Sequence, residues 1–265
     1  MKNLSFTQRI AVLLALLASM VAALALYGPI PQDPALHAFA DRRSWFGIAN
    51  FSDVASNAGF VLAGLLGLWV VRVLKAREAD GASATLTAFN VYFAAVILVG
   101  AGSAWYHLAP DNGRLVWDRL PIAVALMAWF CGVIADRVEG GRWIGWLLPA
   151  LTLFGALSVF YWGWTQSQGH GDLRLYAIAQ YYPVLALPFL CGLFPNASKT
   201  AGGYLVWIYL WFALSKALEH FDVEIFALSG NAVSGHTLKH IALVIAALVV
   251  VRMLQRNANL NSLQA

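Results

Sequence analysis

The sequence predicts an all-α membrane protein, a polytopic bundle of eight transmembrane helices. Of its 265 residues, 60% are hydrophobic and only 11% are charged, whereas about a quarter of the residues of a soluble domain are charged. Apolar runs of about 20 residues, the length that crosses a bilayer core, recur along the chain. The short loops between these runs leave no room for a separate soluble domain.

Composition also excludes several kinds of function. The two cysteines, Cys131 and Cys191, lie in apolar runs and are too few for a disulfide framework or a thiolate metal site. No basic run is interleaved with aromatic residues, so nucleic acid is not an expected partner. The sequence indicates a protein whose partner is the membrane itself, and it gives no sign of an oligomeric state.

The first predicted span lies within residues 1–28. Lys2 and Arg9 precede an apolar run over residues 10–27, which is long for the apolar part of a signal peptide and lacks a clear small-residue cleavage site. We therefore expect an uncleaved helix. The proline-rich stretch that follows predicts an external loop over residues 29–52.

Seven further spans are expected within residues 53–255, followed by a cytoplasmic tail over residues 256–265. Each span has about 20 residues, enough to cross the hydrocarbon core. The predicted spans are 54–74, 86–106, 117–135, 143–163, 174–194, 203–221 and 233–254.

The lysines and arginines predict the orientation of the bundle, because cytoplasmic loops hold an excess of them. With the N-terminus inside, ten basic residues lie at inner ends and five at outer ends, so we expect both termini in the cytoplasm. The inner set is Lys2, Arg9, Arg72, Lys75, Arg77, Arg137, Arg142, Lys199, Arg252 and Arg256, and the outer set is Arg42, Arg43, Arg114, Arg119 and Arg174.

A pair of histidines begins the last span. His236 and His240 are four residues apart, so on a helix they lie on one face, one turn apart, and both can reach one metal ion. Ionisable groups beside a long aliphatic run are costly and often functional. A pair at this spacing also arises by chance, so the motif alone only suggests a metal site.

A second polar group closes the third predicted span. Ser103 and His107 are four residues apart and share a helix face, and Asp118 follows at the start of the fourth span. Four spans separate His107 from His236, and an even number of crossings returns the chain to the same side of the membrane. We therefore expect His107, Asp118, His236 and His240 at one depth, towards the outer face.

Three histidines with a carboxylate and a hydroxyl indicate a catalytic zinc centre. A structural zinc ion normally has four protein ligands, whereas three histidines leave a position for water. The run from His236 to His240 lacks the glutamate of the zinc-peptidase helix, so Asp118 is the candidate proton acceptor. The alternatives are that Asp118 only complements a helix dipole or pairs with Arg119, and that Ser103 only packs between helices.

These residues also resemble a known family. Ser56-Asn57, Gly-x-Gly-Ser-x-x-Tyr-His at residues 100–107, Asp-x-Leu-Pro at residues 118–121 and Gly-His-x-x-x-His at residues 235–240 occur in this order. Together they resemble the alkaline ceramidases, which belong to a wider group of seven-span membrane hydrolases and receptors that includes the progestin and adipoQ receptors. The likeness runs from about residue 50 to the end, which implies a seven-span hydrolase core and makes the first span an addition.

The resemblance implies a function and a role for each site residue. It implies a zinc-dependent membrane enzyme that cleaves the amide of ceramide or a related N-acyl lipid with an activated water. His107, His236 and His240 would be the zinc ligands, Asp118 the base or water-orienting group, and Ser103 a polar contact to the carbonyl oxygen.

One departure from the family concerns calcium. Eukaryotic alkaline ceramidases have an acidic segment before the Ser-Asn motif that binds calcium, but residues 43–53 of this chain contain one carboxylate, Asp53. Calcium requires six to eight oxygen ligands, so no calcium site is expected. The segment is closer to prokaryotic members, which implies a prokaryotic plasma membrane and a substrate that need not be ceramide itself.

Further polar residues crowd the end of the seventh predicted span. Lys216 and Glu219 are spaced to pair along a helix, which is typical of a structural ion pair. Glu219 or His220 is also placed to hydrogen-bond the metal ligands.

Two classes of function stay open on the sequence. The first is the hydrolase, favoured because a purely structural metal site has no use for a base such as Asp118. The alternative is a receptor-like or regulatory membrane protein whose zinc is structural. A transporter is disfavoured, because the polar residues cluster at one face and do not form a path across the midplane.

Overall fold

The computed structural model describes residues 4–78, 83–138, 144–195, 197 and 199–261. Within these ranges the chain is helical apart from its loops and one isolated bridge between Trp45 and Ile48, and it contains no β-strand. Seven of the described helices are long and apolar enough to cross a membrane. The predicted all-α, multi-pass bundle is confirmed.

The helices follow the predicted order closely, with one short turn of 3₁₀ helix at Pro34–His37 in the first loop. Their bounds are α1 Phe6–Tyr27, α2 Phe51–Ser56, α3 Ala58–Lys75, α4 Ala84–Leu108, α5 Asn112–Arg137, α6 Ile144–Ser167, α7 Arg174–Leu193, α8 Gly202–His220, α9 Asp222–Leu228 and α10 Gly235–Asn261.

Helix α8 differs from the prediction of eight equivalent spans. It occupies the predicted position and has 19 residues, about 28 Å at 1.5 Å per residue, but it is not among the seven helices that are apolar enough to span. Lys216 and Glu219 near its end lower its hydropathy. The bundle thus has seven strongly apolar helices and one of matching length that is more polar.

Two element boundaries also differ from the sequence prediction. The second span is divided at Asn57 into α2 and α3. Helix α10 continues to Asn261, through most of the predicted tail, and the remaining residues 262–265 lie outside the described part of the chain. Residue 143, the predicted start of the fifth span, is also outside it.

The bundle is organised around α4 and α5. Helix α4 packs against α3 and α5, α5 against α6 and α7, and α10 against α3 and α8. Helix α1 lies at the periphery and packs mainly on α7, where the Tyr182 hydroxyl donates to the Leu13 carbonyl at 3.0 Å.

A glycine sets the closest approach of the two central helices. A Cβ at Gly102 of α4 would collide with the carbonyl oxygen of Trp117 in α5. Because the neighbouring residues are Ser103 and Asp118, this contact brings both predicted catalytic side chains to the same place. Because the opposing atoms belong to the α5 backbone, they cannot move aside easily to make room for a side chain at residue 102.

We expect Gly102→Ala to destabilise the bundle by about 1–3 kcal/mol, the usual cost of forcing an extra carbon into a packed interface. Thermal unfolding in detergent, followed by tryptophan fluorescence, measures the effect. Gly203→Ala is the matched control, because a Cβ at that helical glycine meets nothing within 4 Å. Equal melting temperatures for the two variants would contradict the close contact.

Candidate metal centre and cavity

Three histidines meet at one end of the bundle, hereafter the histidine end. His107 comes from the last turn of α4, and His236 and His240 from the first two turns of α10. Their ring centroids are 4.8 to 5.1 Å apart, and one nitrogen from each lies within 4.8 Å of the others. The predicted convergence of these residues is confirmed.

The three histidines are buried, and two of their nitrogens make no hydrogen bond. Their exposed fractions are only 1% for His107, 5% for His236 and 3% for His240. His107 Nδ1 and His236 Nε2 have no hydrogen-bond partner, although buried polar atoms are normally paired. Three buried imidazoles whose nitrogens lie this close together fit a metal ion.

A hydrogen bond from α2 fixes the third ligand. Ser56 Oγ lies 2.7 Å from His240 Nδ1 and donates to the carbonyl of Asp53 at 3.0 Å. A Ser56 hydroxyl that donates to Asp53 accepts the bond from His240, since it has a single proton. In that arrangement the His240 proton lies on Nδ1 and the Nε2 lone pair is available to a metal.

Further bonds hold the backbone around the histidines. Asn50 Nδ2 donates to the His107 carbonyl at 2.7 Å, and the His236 amide donates to Asp222 Oδ1 at 2.7 Å. The next residue, Thr237, donates through Oγ1 to Asp53 Oδ1 at 2.6 Å. The start of α2 and the start of α9 thus fix the helix ends that present the ligands.

The first loop covers the histidine end. The Phe39 ring lies 4.6 Å from the rings of both His107 and His236, and the Ala40 amide donates to Asp222 Oδ2 at 2.9 Å. Near it, the bidentate bond from Arg43 holds the pKa of the Asp41 carboxyl below its usual range. The loop closes the site along the axis of the bundle.

The predicted catalytic residues lie beside the histidines. Ser103 and Asp118 line the same cavity as His107, His236 and His240, and their side chains interact with each other. Ser103 is buried. The structure therefore brings together all five residues that the sequence singled out for chemistry.

The two additional candidates have different positions. Glu219 lines the cavity and accepts hydrogen bonds from Lys216 at 2.8 Å and Lys239 at 2.7 Å. His220 is exposed, and its ring packs against Phe221. His220 is not among the residues that line the cavity, so of the two only Glu219 borders the site.

The cavity has a volume of about 350 Å³ and extends far below the histidines. It reaches from Asp118 to Trp129 along α5, about 16 Å at 1.5 Å per residue, or half the hydrocarbon thickness of a bilayer. Its deep part is apolar. The residues that line this part include Val96, Ala125, Trp129, Val184, Leu187 and Ala247.

One side of the cavity is less tightly closed than the others. Helices α7 and α8 both line it, yet among the described residues they are not a closely packed pair, although they are consecutive in the chain. The first loop covers the histidine end of the cavity. Helices α4, α5 and α10 line the wall of the cavity that faces α7 and α8. The geometry favours access from the lipid side, between α7 and α8.

Sequence reasoning missed several residues of the site. Ser56 enters the sequence argument only as part of a motif, and the cover formed by Phe39 has no sequence signal. Lys239 has one: it lies between the two histidines of α10, one residue before His240. The buried Arg119 is predicted from sequence only as a partner of Asp118.

No protein-family model and no curated protein sequence matches this chain. The likeness to the alkaline ceramidases therefore rests on the four short motifs and on the site that they form.

We expect the purified protein to bind one transition-metal ion per chain. His107→Ala, His236→Ala and His240→Ala should each remove most of it, because each takes away one of three ligands. Elemental analysis of detergent-purified protein measures the content. His170→Ala, in an exposed loop, is the control, and full metal content in all three ligand variants would refute the site.

Ser56→Ala should weaken metal binding by about 10- to 100-fold, the usual effect of removing a group that orients a ligand. The measurement is metal retention against a chelator of known affinity. Ser158→Ala provides the comparison, because Ser158, like Ser56, donates to a helix carbonyl, at 2.7 Å, but lies on α6. If both variants hold metal as tightly as wild type, Ser56 does not position His240.

Proposed function

We propose that this protein is a zinc-dependent membrane hydrolase that cleaves the amide bond of ceramide or a related N-acyl lipid. The observation that supports the proposal is the meeting of three buried histidines with Asp118 and Ser103 at the polar end of a long apolar cavity. A site with only a structural role would need neither a carboxylate beside the ligands nor a cavity below them.

Zinc is the metal proposed, on the chemistry of the donors. Three neutral imidazoles with no thiolate suit zinc, and three protein ligands are typical of its catalytic sites. When bound, zinc lowers the pKa of a coordinated water to about 7 and polarises a carbonyl. The nitrogens of His107 and His236 that have no other partner support this assignment.

Asp118 is proposed to act first as the general base and then as the general acid of the reaction. As water oxygen bonds to the amide carbon, the Asp118 carboxylate accepts a proton from the water. It then delivers that proton to the amide nitrogen as the carbon–nitrogen bond breaks, releasing a fatty acid and an amine. Ser103, which interacts with Asp118, is proposed to turn its hydroxyl proton to the carbonyl oxygen as negative charge develops there.

The cavity supports a lipid substrate. Its apolar part below Asp118 offers a path about 16 Å long to an acyl chain, and the gap between α7 and α8 provides an entry from the bilayer. The polar end would then hold the amide at the histidines. With both termini in the cytoplasm, as the basic residues predict, this end faces the outer side of a prokaryotic plasma membrane.

We expect Asp118→Asn to bind zinc normally but to lose amide hydrolysis by about 10²–10⁴-fold, because an amide cannot accept the proton. Ser103→Ala should lose about 10²–10³-fold if it only stabilises developing negative charge. Release of fatty acid from ceramide and other N-acyl lipids in liposomes, together with zinc content, measures both effects.

The matched control is Asp111→Asn, at the start of the same helix α5 and outside the cavity. It should keep wild-type activity, since asparagine also caps a helix. Wild-type protein with full zinc that hydrolyses no N-acyl lipid, or an Asp118→Asn variant as active as wild type, would refute the hydrolase and favour a structural metal.

A further inference from the structure

We infer that the substrate has an anionic group, a carboxylate or a phosphate, on the amine side of the scissile amide. The inference rests on the proposed amidase function and specifies its substrate class. It follows from a cluster of cations, Arg119, Lys216 and Lys239, that line the polar end of the cavity. None of these three side chains has a role in the amide hydrolysis proposed above.

Two of the cations share one carboxylate. Glu219 accepts from Lys216 through one oxygen, at 2.8 Å, and from Lys239 through the other, at 2.7 Å. Each ammonium group has three N–H donors, and Glu219 uses one of each. Both lysines thus have further N–H donors, and both line the cavity.

The pairing of helices explains only part of this cluster. The bond between Lys239 and Glu219 joins α10 to α8, and it does not need Lys216 to do so. Lys216 adds nothing to that connection, because it lies on the same helix as Glu219, three residues earlier. A second lysine on one carboxylate leaves positive charge that another group can neutralise.

Arg119 provides an independent indication of an anion. Its side chain is 8% exposed and lines the cavity, where it is held against the rings of Trp162 and Tyr176 and bonds Gln32 through Nη2. Its Nη1 is buried without a partner. A buried guanidinium nitrogen normally has an acceptor, so a donor is unused beside the site.

The charges that line the cavity do not balance. They belong to three cations, Arg119, Lys216 and Lys239, and two anions, Asp118 and Glu219, so the lining itself carries one positive charge in excess. Uncompensated charge within a membrane bundle is costly, and a metal cation at the histidines would add to the excess. An anionic group on the substrate would compensate it.

The position of the cations assigns this group to the amine side. The acyl chain has only the deep apolar part of the cavity, towards Trp129 and Leu187. Lys239 lies on α10 between the two histidines His236 and His240, so it is close to the point where the amide would bind. The portion of the substrate beyond the amide therefore meets the lysines and Arg119.

Two matched pairs of substrates test the inference and distinguish its two chemical sources. In the first pair, N-palmitoyl glycine has a carboxylate where N-palmitoyl ethanolamine has a hydroxymethyl group. In the second pair, ceramide 1-phosphate has a phosphate that ceramide lacks. We expect kcat/KM to be at least about 10-fold higher for the anionic member of one pair or both, the effect of one hydrogen bond to a charged group. Equal or higher values for both neutral members would overturn the inference and leave the amidase proposal intact.

Lys216→Gln should reduce this anionic preference about 10-fold, and Lys216→Arg should retain it. The ratio for two substrates in one preparation does not depend on the amount of folded protein. Lys75→Gln is the control for loss of a lysine, since Lys75 bonds Thr87 at an exposed position outside the cavity. An unchanged ratio in Lys216→Gln would overturn the role of this lysine.

A binding measurement separates the inference from the proposed function. Competition for a fluorescent fatty-acid probe in detergent gives the affinities of N-palmitoyl glycine and N-palmitoyl ethanolamine without turnover. If neither amide is hydrolysed but N-palmitoyl glycine binds about 10-fold more tightly than N-palmitoyl ethanolamine, the anion site is supported and the amidase function is refuted. Equal affinities, with or without hydrolysis, would overturn the anion site.

Discussion

The burial of three imidazoles, with one nitrogen of each within 4.8 Å of the others, is the constraint on which the rest of the structure depends. Polar nitrogens in an apolar bundle cost free energy unless something binds them, and His107 Nδ1 and His236 Nε2 have no protein partner. The surrounding residues hold the imidazoles in position, but they form no hydrogen bond with these two nitrogens. Ser56 hydrogen-bonds His240 Nδ1, and Asn50 and Asp222 hold the backbone at His107 and His236.

The same arrangement determines how the site can be reached. The loop that brings Phe39 against the histidine rings is joined to the bundle through Asp222, so it covers the site along the bundle axis. The cavity instead extends downwards into apolar surroundings, beside two helices, α7 and α8, that pack loosely against each other. This geometry supports the proposal that a lipid reaches the site from the bilayer.

The sequence predicted most of the fold, because span length and hydrophobicity depend on local composition. The helices lie where the apolar runs are, and the even number of crossings between His107 and His236 is enough to predict that both lie at one end of the bundle. The weakest prediction was α8, where Lys216 and Glu219 lower the apolar character of a helix whose length matches the others. Those residues lie in the cavity, so the irregularity in the pattern marked part of the site.

The sequence by itself determined the class of protein, the order of its spans and the five residues of the candidate centre, because each follows from composition, helical periodicity or a local motif. Only the tertiary structure decided what surrounds them. Ser56 meets His240 across 184 positions of sequence, and Lys239 meets Glu219 from another helix. The rotation and close approach of the helices, set at points such as Gly102 against Trp117, create these contacts, and no local pattern encodes them.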